Sequence, residues 1–374
     1  MNPRKPKVCI LSTSHAVGDD RVFHKEATSL AKAGYEVSLV VQHDREEVID
    51  SVRIIPLRQA RTRFGRYVTG CLRALVLALR ARADLYHLHD PELVAVGVLL
   101  KLARKRVIYD AHEDYEQKLL SRPLPKMIRG LVARAWGVWE RCASRLFDHV
   151  ITADSHTQLK FPASRTTVIA NYPPLKFAAL ENGKRHEGDF RVMYVGGLGD
   201  DRGIGKLVEA IGRVRSENAR LHVAGAAPNP EYAGALSRHP RVSYHGKLPW
   251  EQVKPLLATG HVGAVVLQPV PAYLYCPGEN IIKLFEYMAV GLPVLISSFP
   301  KLKALIETID AGIAVDPTSP EEIARAIDYL HDNPEVWRRM SENGRRAVLE
   351  RYNWEHEEKK LLDLYARLLP NGAP

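Results

Sequence analysis

Three groups of residues in this chain could do chemistry. The first is Gly278-Glu279-Asn280-Ile281-Ile282-Lys283-Leu284-Phe285-Glu286-Tyr287-Met288-Ala289-Val290-Gly291-Leu292-Pro293-Val294. It reads as a polar loop, then a short helix stopped by Gly291 and Pro293, then a strand. A helix start has unpaired N–H groups and the positive end of the dipole, which suit a phosphate. Lys283 lies in that first turn, where the dipole disfavours a cation by roughly 0.3–1 kcal/mol. A bound anion reverses that sign. Glu286, one turn on from Ile282, can accept hydrogen bonds from sugar hydroxyls. The same residues also fit a solvated loop before an ordinary helix.

The second group follows the strand-like run Arg191–Val195: Gly196, Gly197 and, a few residues on, Arg202. Glycine at a strand end lets a phosphate approach the main chain, and an arginine can grip it with two parallel hydrogen bonds. Taken alone, two glycines after a strand say little.

The third group is spread over the first half. Ser12, Ser14, His15, Asp19 and Arg21 follow the strand Val8–Leu11, where a parallel sheet has its ligand crevice. An ordinary cap by Asp19 or Asp20 is the competing explanation. His89-Asp90 and His112-Glu113 stand just past two later strand ends and are expected to line the cleft, or else to cap helices. His87 and His89 share one face of a strand. Neither a third ligand nor a recognised metal spacing accompanies them, so no metal site is expected.

The first group resembles the donor motif of retaining family-4 glycosyltransferases, which have the GT-B fold. There a Glu-x7-Glu precedes Met-Ala-x-Gly-x-Pro-Val. Met288 to Val294 and Glu286 match; the first Glu position holds Gly278, with Glu279 one residue late. Lys283 to Met288 match the Lys-Leu-Phe-Glu-Tyr-Met of one branch, and His15 to Val41 look like its start, with His-x3-Asp-x-Arg. The resemblance covers nearly the whole chain. It implies that His112 contacts the transferred sugar, that Gly278, Glu279, Asn280, Ile281, Ile282 and Glu286 bind the donor, and that the bend at Lys247-Leu248 meets the nucleobase. Gly197 occupies the family's usual Arg position and Arg202 its Lys position. The diphosphate grip is therefore expected from Arg202 and Lys283, with His15, Asp19, Arg21, Asp90 and Glu113 towards the acceptor.

The elements that must position these groups alternate. Strand, loop, a single helix from Arg21 to Lys32, Gly34 and the strand Val37–Val41 make a βαβ unit, hence a parallel sheet. No GxGxxG opens the first helix, which disfavours a nicotinamide-type site. No Asp-x-Asp occurs, as the metal-dependent GT-A class would carry. Asn171-Tyr172-Pro173-Pro174 stops regular structure and is the expected hinge, with a loose linker at Glu181–Gly188. The expected fold is α/β, GT-B: two Rossmann-like parallel-sheet domains facing across a cleft. Residues 1–172 form the acceptor domain, completed by a crossing helix at 353–374, and residues 173–352 form the nucleotide-sugar domain.

The 374 residues have a formal net charge of +10, which favours anionic partners. The four cysteines are far apart in sequence and form no CxxC, which fits a reducing cytosol. No signal peptide or membrane-spanning run is read. Two basic stretches stand out. Arg58–Arg82 carries Leu72, Leu75, Val76 and Leu79 at helical spacing. Lys126–Phe147 mixes Trp136 and Trp139 with Arg129, Arg134, Arg141 and Arg145. The second suits a helix lying on an anionic bilayer, or equally a core helix with a charged outer face.

The expected activity is transfer of a sugar from a nucleotide diphosphate donor, UDP- or GDP-linked, to a glycan or lipid-linked acceptor. The resemblance implies retention of configuration without metal or cofactor. The expected location is the cytoplasm, peripheral at the inner membrane face. Two alternatives are a nucleotide-sugar 2-epimerase and a basic nucleic-acid-binding protein. The latter lacks a known module and stacking aromatics within its basic runs, so no nucleic-acid partner is expected.

Overall fold

The computed structural model describes residues 4–58, 69–122, 125–178 and 188–370. The stretch around Arg66 and most of the expected linker at 181–188 lie outside the described residues. The chain divides into two compact units, Met1–Asn171 with Glu355–Pro374, and Tyr172–Trp354. The division falls within the Asn171–Pro174 stop.

The first unit has an eight-stranded sheet. Its order is β3 (Glu47–Ile49), β4 (Val52–Leu57), β2 (Glu36–Gln42), β1 (Lys7–Ala16), β5 (Leu85–Leu88), β6 (Arg106–Ala111), β7 (His149–Thr152) and β8 (Thr166–Val168). Only β3 is antiparallel, a short edge strand paired to β4. Fully buried runs such as Val8–Leu11, Leu39–Val41 and Leu85–Leu88 are what a sheet covered on both faces requires. The strand order reverses direction between β1 and β5. In open α/β sheets that switch point is where ligands bind. The C-terminal helix Trp354–Leu368 packs into this unit, where the Tyr365 hydroxyl bonds His87 Nδ1 at 2.9 Å.

The second unit has a six-stranded, all-parallel sheet. Its order is β11 (Val242–Tyr244), β10 (Ala219–Ala224), β9 (Phe190–Val195), β12 (Val262–Val265), β13 (Val294–Ser297) and β14 (Gly312–Val315). Its switch point lies between β9 and β12. The core beneath is aliphatic, with Val192, Leu207, Ile211, Leu221, Val223, Val262 and Leu295 buried together.

Two local departures from the sequence reading matter. β1 continues to Ala16, so Ser12 to Ala16 are strand rather than loop. The expected single helix from Arg21 to Lys32 is instead a wide π-helical stretch over Asp20–Ala27, followed by a short α-helix, Thr28–Lys32. The wider turn brings residues five apart to one side, and the Arg21 guanidinium lies 3.0 Å from Glu26 Oε1.

Candidate functional site

In the second unit the candidate site forms at the β9–β12 switch point. β9 ends at Val195, and the chain turns through Gly196 at φ +139°. A Cβ on Gly196 would lie 2.7 Å from Lys283 Nζ, so a side chain there would strain the backbone and displace the amine. Lys283 sits in the first turn of the helix Ile282–Ala289, whose N-cap residue, Ile281, supplies no side-chain hydrogen bond. The amine donates to the Tyr194 hydroxyl at 2.9 Å and stands 4.2 Å from that ring's centre. The Tyr194 hydroxyl in turn donates to the Gly197 carbonyl at 2.6 Å. Burial, and then the nearby charge of Arg202, push the Lys283 amine down to about 7, against the pull of Glu286 and Asp201.

Arg202 closes a short turn at Asp200–Arg202. Its guanidinium lies 5.1 Å from the centre of the Tyr273 ring, and the Tyr273 hydroxyl bonds Asp201 at 2.7 Å. Fold and sequence thus bring Gly196, Gly197, Arg202 and Lys283 into one neighbourhood. Gly278 adopts φ +94°, and a Cβ there would approach Leu305 to 2.8 Å. A glutamate at that position would be strained and crowded. Asn280 accepts from Cys276 Sγ at 3.0 Å, while Glu279 and Glu286 are half-buried. Lys247 and Leu248 follow Gly246, itself at φ +68°, with Lys247 exposed. Tyr194 was missed from sequence because its position reads only as buried strand.

In the first unit the residues singled out converge on the β1–β5 switch point but divide by role. The Asp90 carboxylate is buried and already occupied. It accepts from the Ser12 hydroxyl at 2.8 Å, the Thr13 amide at 2.6 Å and the Ser14 amide and hydroxyl. Burial raises its pKa, but His15 and these donors outweigh it and hold it below the usual carboxylate range. It does not cap the following turn. Asp19 caps the π-helical stretch, accepting from the Arg21 and Val22 amides at 3.0 and 2.9 Å. Arg21 is buried against Asp110, bonding it through Nε and Nη2 at 3.1 and 2.8 Å, and donates to the Ile169 carbonyl at 2.9 Å. Asp90 and Arg21 therefore shape the site from behind. His15 and His112 remain partly exposed, with ring centres 5.6 Å apart. Glu113 is exposed and pairs with Lys118.

The absence of further ligands around His87 and His89, expected from sequence, does not hold. Glu26 from the π-helical stretch and Asp110 from β6 join them in a fully buried group. Burial is the main cause of the Glu26 carboxyl rising well above its usual range, and the neighbouring Asp110 adds to it. Burial likewise drives His87 down to about 3 and His89 well below the usual histidine value. His89 Nδ1 lies 2.9 Å from His112 Nε2, linking this group to the more exposed ring.

Residues 18–172 match the family model described as glycosyl transferase 4-like domain, and residues 189–333 match glycosyl transferases group 1. The chain belongs to this glycosyltransferase family. A relative, an uncharacterized glycosyltransferase of Methanocaldococcus jannaschii, is 29% identical over 180 residues, covering 46% of this chain and 44% of the relative. The chain thus matches less than half the length of that relative. Among solved structures, sucrose-phosphate synthase from Thermosynechococcus elongatus superposes with a TM-score of 0.78 at 20% identity, covering 98% of this chain and all of that one. Anabaena HepE in complex with UDP-glucose gives 0.73 at 15% identity, covering 96% and 99%. These likenesses establish the fold: two parallel-sheet α/β domains of the GT-B type.

Proposed function

We propose that the chain transfers a sugar from a nucleotide diphosphate donor to a glycan or lipid-linked acceptor, with retention of configuration. The observation that carries this is the placement of Lys283. It stands at an uncapped helix start, beside Arg202 and against Gly196, so that two cations are held close together. A departing nucleoside diphosphate suits that pair. As the glycosidic C–O bond breaks, negative charge grows on the leaving phosphate, and Lys283, Arg202 and the first-turn N–H groups form a preorganised positive field. These groups do the work a metal would do at the diphosphate, so the transfer is metal-independent there. Attack by the acceptor from the leaving-group side needs no enzyme nucleophile. The UDP-glucose bound by Anabaena HepE, which shares the fold, supports a UDP-type donor.

The acceptor side is read as lipid-linked. Among the described residues no helix is long and apolar enough to cross a membrane. The helix Lys126–Ser144, however, turns an apolar face outwards: Met127, Ile128, Leu131, Val138 and Trp139 are all exposed, with Arg134 and Arg145 alongside. Its inward face is small and polar, with Ala133, Glu140, Ala143 and Ser144 buried. A core helix with a charged outer face would show the reverse. Apolar side chains with flanking arginines suit an anionic bilayer surface.

The reading is tested by thermal shift against UDP-, GDP-, ADP- and TDP-sugars, since a ligand bound at 100 times its Kd stabilises by about 2.7 kcal/mol. One nucleotide series should raise the melting temperature. No shift with any of them contradicts the proposal.

A further inference from the structure

We propose that the first unit holds a structural divalent transition-metal ion, Zn2+ by preference, between Glu26, His87, His89 and Asp110. One ligand atom from each of these four residues lies within 4.8 Å of all the others, and all four side chains are buried. A cluster of this kind could be an ordinary polar core. What distinguishes it is the direction in which the groups are held.

Each histidine is fixed from outside by one ring nitrogen. His87 Nδ1 meets the Tyr365 hydroxyl at 2.9 Å, and His89 Nδ1 meets His112 Nε2 at 2.9 Å. The other nitrogen of each ring, Nε2, is buried and has no hydrogen-bond partner among the described residues. Oε2 of Glu26 and Oδ1 of Asp110 are in the same state, while Glu26 Oε1 lies 3.0 Å from the Arg21 guanidinium. Buried polar atoms are otherwise almost always paired. His89 Nε2 lies 3.4 Å from Glu26 Oε2 and His87 Nε2 lies 3.9 Å from Asp110 Oδ2; imidazoles oriented by a hydroxyl and another ring fit the pattern of ligands backed by outer hydrogen bonds.

The donor set selects the ion. Two imidazole nitrogens and two carboxylate oxygens suit Zn2+ in four-coordinate geometry, and are less suited to Ca2+ or Mg2+, which prefer oxygen alone. Arg21 is compatible with this. Its guanidinium takes Asp110 Oδ2, which also lies 3.9 Å from His87 Nε2, and leaves Oδ1 without a hydrogen-bond partner.

The ion would tie the π-helical stretch, β5 and β6 together and, through His89, fix the ring of His112. Arg202 and Lys283 belong to the other unit, so removing the ion should leave nucleotide binding intact.

The test uses the full chain purified without a histidine tag, stripped with a chelator and titrated with Zn2+ and with Co2+. One equivalent of Zn2+ should bind tightly and raise the melting temperature. Co2+ should give the visible band of a four-coordinate site. Glu26→Gln, which keeps the side chain's shape, should weaken Zn2+ by about 100-fold, at the upper end of what losing even a supporting group costs. Should that variant not fold, the Co2+ band of the wild-type chain, lost on adding Zn2+, decides the question. A folded wild-type protein that takes up no stoichiometric Zn2+, or a Glu26→Gln variant that binds it unchanged, overturns the proposal. The pocket then holds water or a shared proton.

Discussion

The Lys283 amine donates to the Tyr194 hydroxyl at 2.9 Å and lies over the same ring. The hydroxyl in turn donates a hydrogen bond to the Gly197 carbonyl. One tyrosine thus fixes both the cation and the loop that would flank a diphosphate. Tyr194→Phe removes both bonds and keeps the ring. Nucleotide affinity should fall about 10- to 150-fold, in line with roughly 1.5–3 kcal/mol for a hydrogen bond involving a charged group. Calorimetric titration checks this, with melting temperature as the control for folding.

Binding of a nucleoside diphosphate should take up a proton above pH 7. The Lys283 amine in the free protein is held down to about 7, chiefly by burial and then by Arg202. Below that pH it is already charged. Above it, a bound diphosphate must draw a proton onto the amine, and affinity should weaken by up to tenfold per pH unit. Titrations at pH 8 in buffers of different ionisation enthalpy should report close to one proton taken up. Lys283→Met should abolish the uptake.

Gly196→Ala should reduce transfer severely while leaving the fold in place. The new Cβ would meet Lys283 Nζ at 2.7 Å on a backbone at φ +139°. The strain is of order 1–3 kcal/mol, and the amine must leave its place beside Tyr194. Circular dichroism and donor titration together separate loss of the site from loss of the fold.

Asp90→Asn should act through His15. The carboxylate holds Ser12, Thr13 and Ser14, and Ser12 Oγ lies 2.8 Å from His15 Nδ1. Losing the charge weakens several donors at once, costing about 2–3 kcal/mol of stability. If the acceptor binds beside His15, its KM should rise while donor affinity stays unchanged.

Leu131→Glu with Trp139→Glu should release the protein from liposomes containing anionic lipid, with the fold unaffected, because both side chains are exposed. A sedimentation assay at low salt reads this directly. Equal binding by the double variant would remove the bilayer from the account.

Much of the architecture was legible because buried parallel strands are continuous apolar runs and their ends carry the polar residues. Val8–Leu11, Leu39–Val41 and Val262–Val265 are of this kind, and the Gly291–Pro293 stop follows from backbone chemistry alone. What escaped were pairings between distant residues. Nothing local marks Glu26 as a neighbour of His87, because the approach depends on a π-helical turn that propensities do not signal. Arg21 looks like a surface ligand in sequence and is buried against Asp110, since its charge is met by Glu26 across the π-helical turn and by Asp110 on a strand far along the chain. The outward face of Lys126–Ser144 depended on which side of an amphipathic helix the sheet covers, and both choices satisfy the same spacing.

The central claim is that Lys283 and Arg202 receive the departing nucleotide. The most direct measurement is calorimetric titration of the fitting nucleoside diphosphate into wild type, Lys283→Ala and Arg202→Ala, with sugar transfer followed in parallel. The account predicts tight binding to wild type, binding at least tenfold weaker in each variant, and no transfer by either. Unchanged affinity and turnover in both variants would contradict it.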